Sequence, residues 1–204
     1  MFLIATDEAG YGPKLGPLVV AATLWQLPEP AEEVPNLDAS FASISQRVAI
    51  DGTSYVVNDS KAVFQPGSAG KKASTGLAKL EAVTTAGCRW CGLAAEQLDL
   101  VSTLATPDVD EIASTPWLKA FAEESVSMGP AESLCEAWSR GPARLLGVAT
   151  RITTAAAFNR MCDSGWNKSD LLSQVTLQLV HSMLQSMELR DSVPIEVYCD
   201  RHGG

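Results

Sequence analysis

Two adjacent acids close the first apolar segment of the chain, and a third acid closes the last one. Residues 2–6 form a short apolar run of strand length, which Asp7 and Glu8 terminate. Residues 195–199 read IEVYC, and Asp200 follows them. Because an unpaired carboxylate is unfavourable inside a buried strand, we expect all three acids at exposed strand ends. Carboxylate oxygens are ligands that magnesium and manganese prefer, so these acids are candidate metal ligands.

A glycine turn follows the first two acids. Residues 9–13 read AGYGP, and the two glycines allow the backbone to approach a ligand closely because glycine has no Cβ. Residues 17–27 then form a second apolar run with strand character. The pattern predicts a strand, an acidic tip, a glycine turn and a second strand. Taken by itself, an Asp-Glu pair is most often a solvated surface pair or the first turn of a helix.

The string DEAGYGPKLGPLVVAA, residues 7–22, resembles the opening motif of the type 2 ribonucleases H, the ribonuclease HII and HIII family. That motif is close to D-E-[AS]-G-x-G-P-x-x-G-P-[LV]-V-[VA]-A. A second stretch, NDSK at 58–61 before the helical pattern at 71–85, is similar to the D-S-K motif that follows the first hairpin in the same family. Alone, Asp-Ser-Lys would be an ordinary turn or helix cap.

The end of the chain continues the resemblance. The family has a long helix and then a strand tipped by its third catalytic aspartate. Residues 167–189 carry apolar side chains at helical spacing, with Asn167 as N-cap, and the strand pattern at 195–199 precedes Asp200. The resemblance covers roughly residues 1–26, 58–86 and 144–200.

The resemblance implies a ribonuclease H-like α/β fold, in which a central mixed β-sheet is flanked by helices. It implies a single domain over 1–204 with an inserted helical segment at 87–141. The implied activity is metal-dependent hydrolysis of the RNA strand in RNA–DNA hybrids, which leaves a 3′-hydroxyl and a 5′-phosphate. The implied partner is such a hybrid or a DNA duplex that contains ribonucleotides.

The resemblance also assigns site residues. The catalytic residues, which would hold a Mg²⁺ or Mn²⁺ pair, are Asp7, Glu8 and Asp200. The glycine turn would present backbone groups to a ribose 2′-hydroxyl. The D-S-K motif would present a serine hydroxyl and a lysine charge to a phosphate. These substrate-binding residues are Gly10, Tyr11, Gly12, Ser60 and Lys61.

Three departures from the family pattern stand out. Ribonuclease HII commonly has arginine where this chain has Tyr11, and the family usually has D-G-N where this chain reads DRHGG from Asp200. The family also carries a fourth catalytic carboxylate beyond the third, whereas this chain ends four residues after Asp200. We therefore expect the sequence to be incomplete at its C-terminus. A degenerate, non-catalytic hybrid-binding relative of the same fold is the alternative.

Composition sets further bounds. With 204 residues and 46% hydrophobic content, the chain can bury one full core. The net charge of −9 argues against strong non-specific binding to nucleic acid. Neither a membrane segment nor a signal peptide is apparent, so we expect a cytoplasmic monomer that does not bind membranes.

Five cysteines, an odd number, suggest free thiols in a reducing compartment. Cys88 and Cys91 form a C-x-x-C pair that could be redox-active or half of a zinc site, although no second pair completes four ligands. A thiol or zinc protein built on this pair is therefore a third reading. The pattern indicates small core residues at the other positions, Cys135, Cys162 and Cys199.

Overall fold

A computed structural model of the chain describes residues 1–9, 16–29, 36–59, 63, 71–94, 96–127, 129–186 and 193–199. The strands are β1 Phe2–Ala9, β2 Leu18–Gln26, β3 Val48–Ile50, β4 Thr53–Tyr55, β5 Gln97–Asp99, β6 Ser125–Ser127, β7 Arg144–Thr153 and β8 Ile195–Tyr198. The helices are α1 Leu37–Ser45, α2 Lys71–Trp90, α3 Leu100–Leu104, α4 Val109–Ser114, α5 Lys119–Ala122, α6 Ala131–Trp138, α7 Ala155–Asp163 and α8 Lys168–Ser186. A 3-10 turn, Thr106–Asp108, precedes α4.

Four strands form the main sheet, in the order β7-β2-β1-β8. β1 and β8 are parallel neighbours. β1 and β2 are antiparallel, because the eight residues between their ends are too few for a parallel crossover. The predicted α/β class, with a mixed sheet flanked by helices, is thus confirmed.

β7 runs antiparallel to β2 and therefore parallel to β1. Gly147 of β7 lies beside Leu24 near the end of β2, whereas Ile152 near the end of β7 shares a buried cluster with Val19 near the start of β2. The C-terminal ends of β1, β7 and β8 consequently lie at one edge of the sheet. We call this edge the carboxyl edge.

Helix α8 covers one face of the sheet. Asn167 is its N-cap, as predicted, because its Oδ1 accepts a hydrogen bond from the Asp170 backbone N–H at 2.9 Å. Seven buried residues recur at helical spacing along it, and six of them pack with alternate residues of β1 and β2. Ile4, Val20 and Leu24 are among those strand residues, each at most 5% exposed. The alternating burial of β2 is what a half-covered strand produces.

The segment from α3 to α5 covers the face around the end of β7. Its buried residues Val101, Ala105 and Ile112 cluster with Ile152 of β7. Thr150 in the same strand donates a hydrogen bond from Oγ1 to the Leu104 carbonyl at 3.1 Å. These contacts hold short helices against the sheet that would not be stable alone.

The chain divides into two compact units. One contains Met1–Trp25, Asp99–Ser125 and Leu146–Gly204, and the other contains Gln26–Leu98 and Val126–Leu145. The segment 87–141, predicted as one insertion, contributes to both units. That segment contains the four helices α3 to α6, so its predicted helical character is confirmed.

The second unit is built around α2 and α6, where the rings of Trp90 and Trp138 lie 5.8 Å apart. Its β3–β4 hairpin closes through Asp51 and Gly52, whose φ angles of 48° and 76° fit a two-residue turn of type I′. Among the residues that the structure describes, none of the helices is both long and apolar enough to cross a bilayer.

Candidate active site

Asp7 and Glu8 lie near the C-terminal end of β1, at the carboxyl edge. Asp7 is exposed and Glu8 half-buried, as expected for acids that end a buried strand. The Asp7 Oδ1 accepts a hydrogen bond from the Glu8 backbone N–H at 2.9 Å. Side chains alternate between the two faces of a strand. The Glu8 side chain therefore projects from the same face as Ile4, which α8 covers, and the Asp7 side chain projects from the opposite face.

The neighbouring strand β8 also ends at this edge. Its register pairs Phe2 with Ile195 and Ala5 with Tyr198, so each β8 residue carries a number 193 higher than its partner in β1. Asp200 lies outside the described residues. So do the predicted substrate-binding residues Gly10, Tyr11, Gly12, Ser60 and Lys61.

The acids present suit a divalent cation in chemistry, although the described part of the chain does not complete a site. Asp7 and Glu8 supply hard carboxylate oxygens of the kind that Mg²⁺ and Mn²⁺ prefer. Among the described residues, no three His, Cys, Asp or Glu side chains converge into a group able to hold a metal ion. The third predicted ligand, Asp200, lies outside that part of the chain.

A second ionic cluster lies at the end of β7, in the same unit. The Asp108 carboxylate accepts hydrogen bonds from Arg151 Nε and Nη2 at 3.0 to 3.1 Å, and from the Ile152 backbone N–H at 2.7 Å. β7 is an edge strand, so Asp108 satisfies a backbone donor that the sheet leaves unpaired. The Asp108 side chain is only 10% exposed, which makes this pair costly to break.

Glu111 joins α4 to α7 through a second set of bonds. Its Oε1 accepts a hydrogen bond from Thr154 Oγ1 at 2.7 Å, and its Oε2 pairs with Arg160 Nη2 at 3.0 Å. The Thr154 hydroxyl, and then the Arg160 guanidinium, lower the pKa of the Glu111 carboxyl below its usual value. Thr154 is also the N-cap of α7, because its Oγ1 accepts from the Ala157 N–H.

The Glu111 bonds predict a measurable dependence on pH. A carboxyl whose pKa is lower in the folded state stabilises that state at pH values above its pKa in the unfolded chain. This stabilisation is lost as the pH falls through the pKa of the folded state. Thr154→Val removes the hydroxyl that contributes most, so the pKa of Glu111 should rise towards the ordinary value of 4.5 in a carboxyl NMR titration. Thr154→Ser, which keeps a hydroxyl, is the control. An unchanged pKa in Thr154→Val would show that the hydroxyl does not set it.

Cys88 of the C-x-x-C pair has the properties of a structural residue. Cys88 is fully buried, and burial, followed by the neighbouring Cys91, raises the pKa of its thiol to about 12. Burial also raises the pKa of Cys135, whose Sγ donates to the Ala86 carbonyl at 3.2 Å. Since the thiolate is the reactive and metal-binding form, neither environment favours redox or zinc chemistry. The expectation that Cys199 is a core residue is wrong, because Cys199 is exposed at the end of β8.

These environments predict which thiols react. An alkylating reagent should modify exposed Cys199 much faster than Cys88, because Cys88 is both buried and held in the thiol form. Peptide mass spectrometry over a time course measures each rate, and the chain in denaturant, where all five cysteines should react, is the control. Rapid labelling of native Cys88 would instead support the hypothesis of a thiol or zinc protein built on Cys88 and Cys91.

The sequence reading missed the cluster around Asp108 and Arg151. These residues are 43 positions apart and share no motif, so no local pattern could have joined them. The capping role of Thr154 could have been predicted, because a threonine before the helical run AAAFNRM is a recognisable N-cap signal.

Comparisons of the chain with protein-family models, with curated proteins and with solved structures found no match.

Proposed function

We propose that this chain is the core of a metal-dependent endonuclease with a ribonuclease H-like fold, which hydrolyses the RNA strand of RNA–DNA hybrids. The observation that carries the proposal is the parallel register of β1 and β8. Asp7 follows Ala5 by two residues, and Asp200 follows Tyr198, the partner of Ala5, also by two. The described pairing ends at Ala5 and Tyr198, and the proposal places the two aspartates that follow this pair close together on neighbouring chain segments.

Such an arrangement suits a shared cation. Neighbouring strands lie about 5 Å apart, and two carboxylates at such a distance repel each other until a cation lies between them. Glu8 supplies a third carboxylate at the same strand end. In this proposal Asp7 and Asp200 hold the ions from neighbouring strands, and Glu8 flanks them.

The arrangement of secondary structure adds support. Residues 7–22, which resemble the type 2 ribonuclease H motif, span the acidic end of β1 and the first part of β2. The long helix α8 comes immediately before β8 in the chain, in the order that the resemblance implies. α2 follows the D-S-K stretch in the same way.

The chemistry follows from the acids. A Mg²⁺ or Mn²⁺ pair, when bound, would supply an activated water and a positive charge to neutralise the leaving oxygen. The carboxylates of Asp7, Glu8 and Asp200 hold the ions and fix where the scissile phosphate can bind. The glycine turn at Gly10 to Gly12 would contact the ribose 2′-hydroxyl. Lys61 and Ser60 would bind a neighbouring phosphate. We place the enzyme in the cytoplasm, as a monomer acting on a hybrid or on a DNA duplex that contains ribonucleotides.

The test is a nicking assay on matched duplexes. The chain, extended by any coding sequence that follows Gly204, should cut the RNA strand of an RNA–DNA hybrid with magnesium or manganese, and should leave a DNA duplex of the same sequence intact. Chelation with EDTA should abolish cutting. A protein that binds the hybrid but cuts nothing with either metal would favour the non-catalytic relative.

A further inference from the structure

A groove of about 410 Å³ opens beside the Asp108–Arg151 pair, within the same compact unit as Asp7. Its walls come from the 3-10 turn, α4, the end of β7, α7 with the loop after it, and α8. Pockets of about 300–1,000 Å³ that combine apolar walls with a few polar groups are the usual sites of small ligands. The groove is therefore large enough for a planar ring of the size of a nucleobase.

One wall offers an exposed aromatic surface. Trp166, in the loop between α7 and α8, is 38% exposed and lines the groove together with Met161 and Val175. Tryptophan carries a large apolar surface whose exposure to water is unfavourable. Such a ring is also a platform on which nucleobases stack, whatever their sequence.

The α8 part of the lining offers unused hydrogen-bonding groups. Gln174 and Gln178 lie one turn apart on α8 and both line the groove. Within the described residues, neither side-chain amide has a hydrogen-bond partner, and Arg151 Nη1 has none either. An amide carries donors and an acceptor on one planar group, which matches the edge of a nucleobase.

The charges of the groove argue against an anionic occupant. Two carboxylates line it, those of Asp108 and Glu111, and each is paired with an arginine. Because these charges cancel, the groove lacks the net positive charge that would attract a phosphate or an acidic peptide. A neutral, flat ligand with hydrogen-bonding edges fits it better.

The position of the groove connects it to the acids. Arg151 and Thr153 lie at the end of β7 and therefore at the carboxyl edge, as do Asp7 and Glu8. β2 alone separates β7 from β1, so the two ends are about 10 Å apart, or two strand spacings. Alternation also places Arg151 on the same sheet face as Glu8 and α8.

We propose that this groove binds an unpaired nucleobase, supplied by a single-stranded segment adjoining the duplex that is cut. Trp166 stacks on the base, Gln174 and Gln178 bond to its edge, and the Asp108–Arg151 pair holds one wall rigid. Since the base belongs to the substrate of the nuclease, this inference rests on the proposed function.

Binding to a short, labelled single-stranded DNA and to its abasic analogue of equal length tests the site. Both probes carry the same phosphates, so a difference between their affinities measures base recognition alone. Fluorescence anisotropy in EDTA excludes cleavage. The full chain should bind the base-bearing strand about tenfold or more tightly than the abasic one, and Trp166→Ala should remove that difference.

Trp117→Ala is the matched control, because Trp117 is 71% exposed in the same unit but does not line the groove. Trp166→Phe should keep most of the difference, since it keeps a ring. The double variant Gln174→Ala with Gln178→Ala should weaken binding of the base-bearing strand and leave binding of the abasic strand unchanged. Unaltered melting temperatures would show that the variants are folded.

Equal binding of both strands by the wild-type chain would overturn the inference, as would equal losses in Trp166→Ala and Trp117→Ala. Cleavage of hybrids together with equal binding would leave the proposed function intact and remove the base site. Base-dependent binding without any cleavage would support the base site and contradict the proposed function. The two failures are therefore distinguishable.

Discussion

Asp7→Asn should reduce nicking of an RNA–DNA hybrid by several orders of magnitude, and Asp200→Asn should do the same. Each substitution removes a charged oxygen ligand from the proposed metal pair, and metal-dependent hydrolysis needs both ions in place. Because the two residues would act as one unit, the double variant should be scarcely worse than either single one. Single-turnover rates with saturating magnesium, repeated with manganese, measure the effect.

Asp163→Asn is the control for charge. Asp163 is an exposed acid in the same unit, at the end of α7, and is not one of the proposed metal ligands, so its loss changes the net charge by the same amount. Its rate should match that of wild type. If Asp7→Asn cut as fast as Asp163→Asn, Asp7 would not hold a catalytic metal, whatever the resemblance implies.

Asp108→Ala should lower the free energy of unfolding by about 2–4 kcal/mol. The change leaves Arg151, whose side chain is 28% exposed, without its carboxylate, and leaves the Ile152 N–H without an acceptor. Urea unfolding measures the loss. Hydrogen exchange measures it locally, since protection of the Ile152 amide should fall more than that of residues far from β7.

Asp110→Ala is the matched control for this variant, because Asp110 is an exposed acid in the first turn of α4. Asp110→Ala should change the free energy of unfolding by no more than about 0.5 kcal/mol, the range of ordinary surface substitutions. Combining Asp108→Leu with Arg151→Met should recover part of the stability, because an apolar pair removes the uncompensated charge. An effect of Asp108→Ala no larger than that of Asp110→Ala would show that the ion pair contributes little.

The sequence identified the elements that have local signals. β2 alternates apolar and half-buried positions, and α8 combines an Asn167 cap with apolar residues at helical spacing, so both were found with nearly the right bounds. The β3–β4 hairpin was missed although its Asp51-Gly52 turn is a strong local signal, because its strands have only three residues each. The short helices α3 and α4 carry too few apolar positions to show a period, and tertiary contacts stabilise them.

By itself, the sequence determined the α/β class, the acids at the strand end and the motif in residues 7–22. It did so because strand alternation, helix caps and turn residues act over only a few positions. The tertiary structure alone decided that β8 pairs with β1 in parallel, with Ala5 beside Tyr198, and that Asp108 meets Arg151. Such partners are distant in the chain, and burial and hydrogen bonding select them only when the sheet and its covering helices pack together.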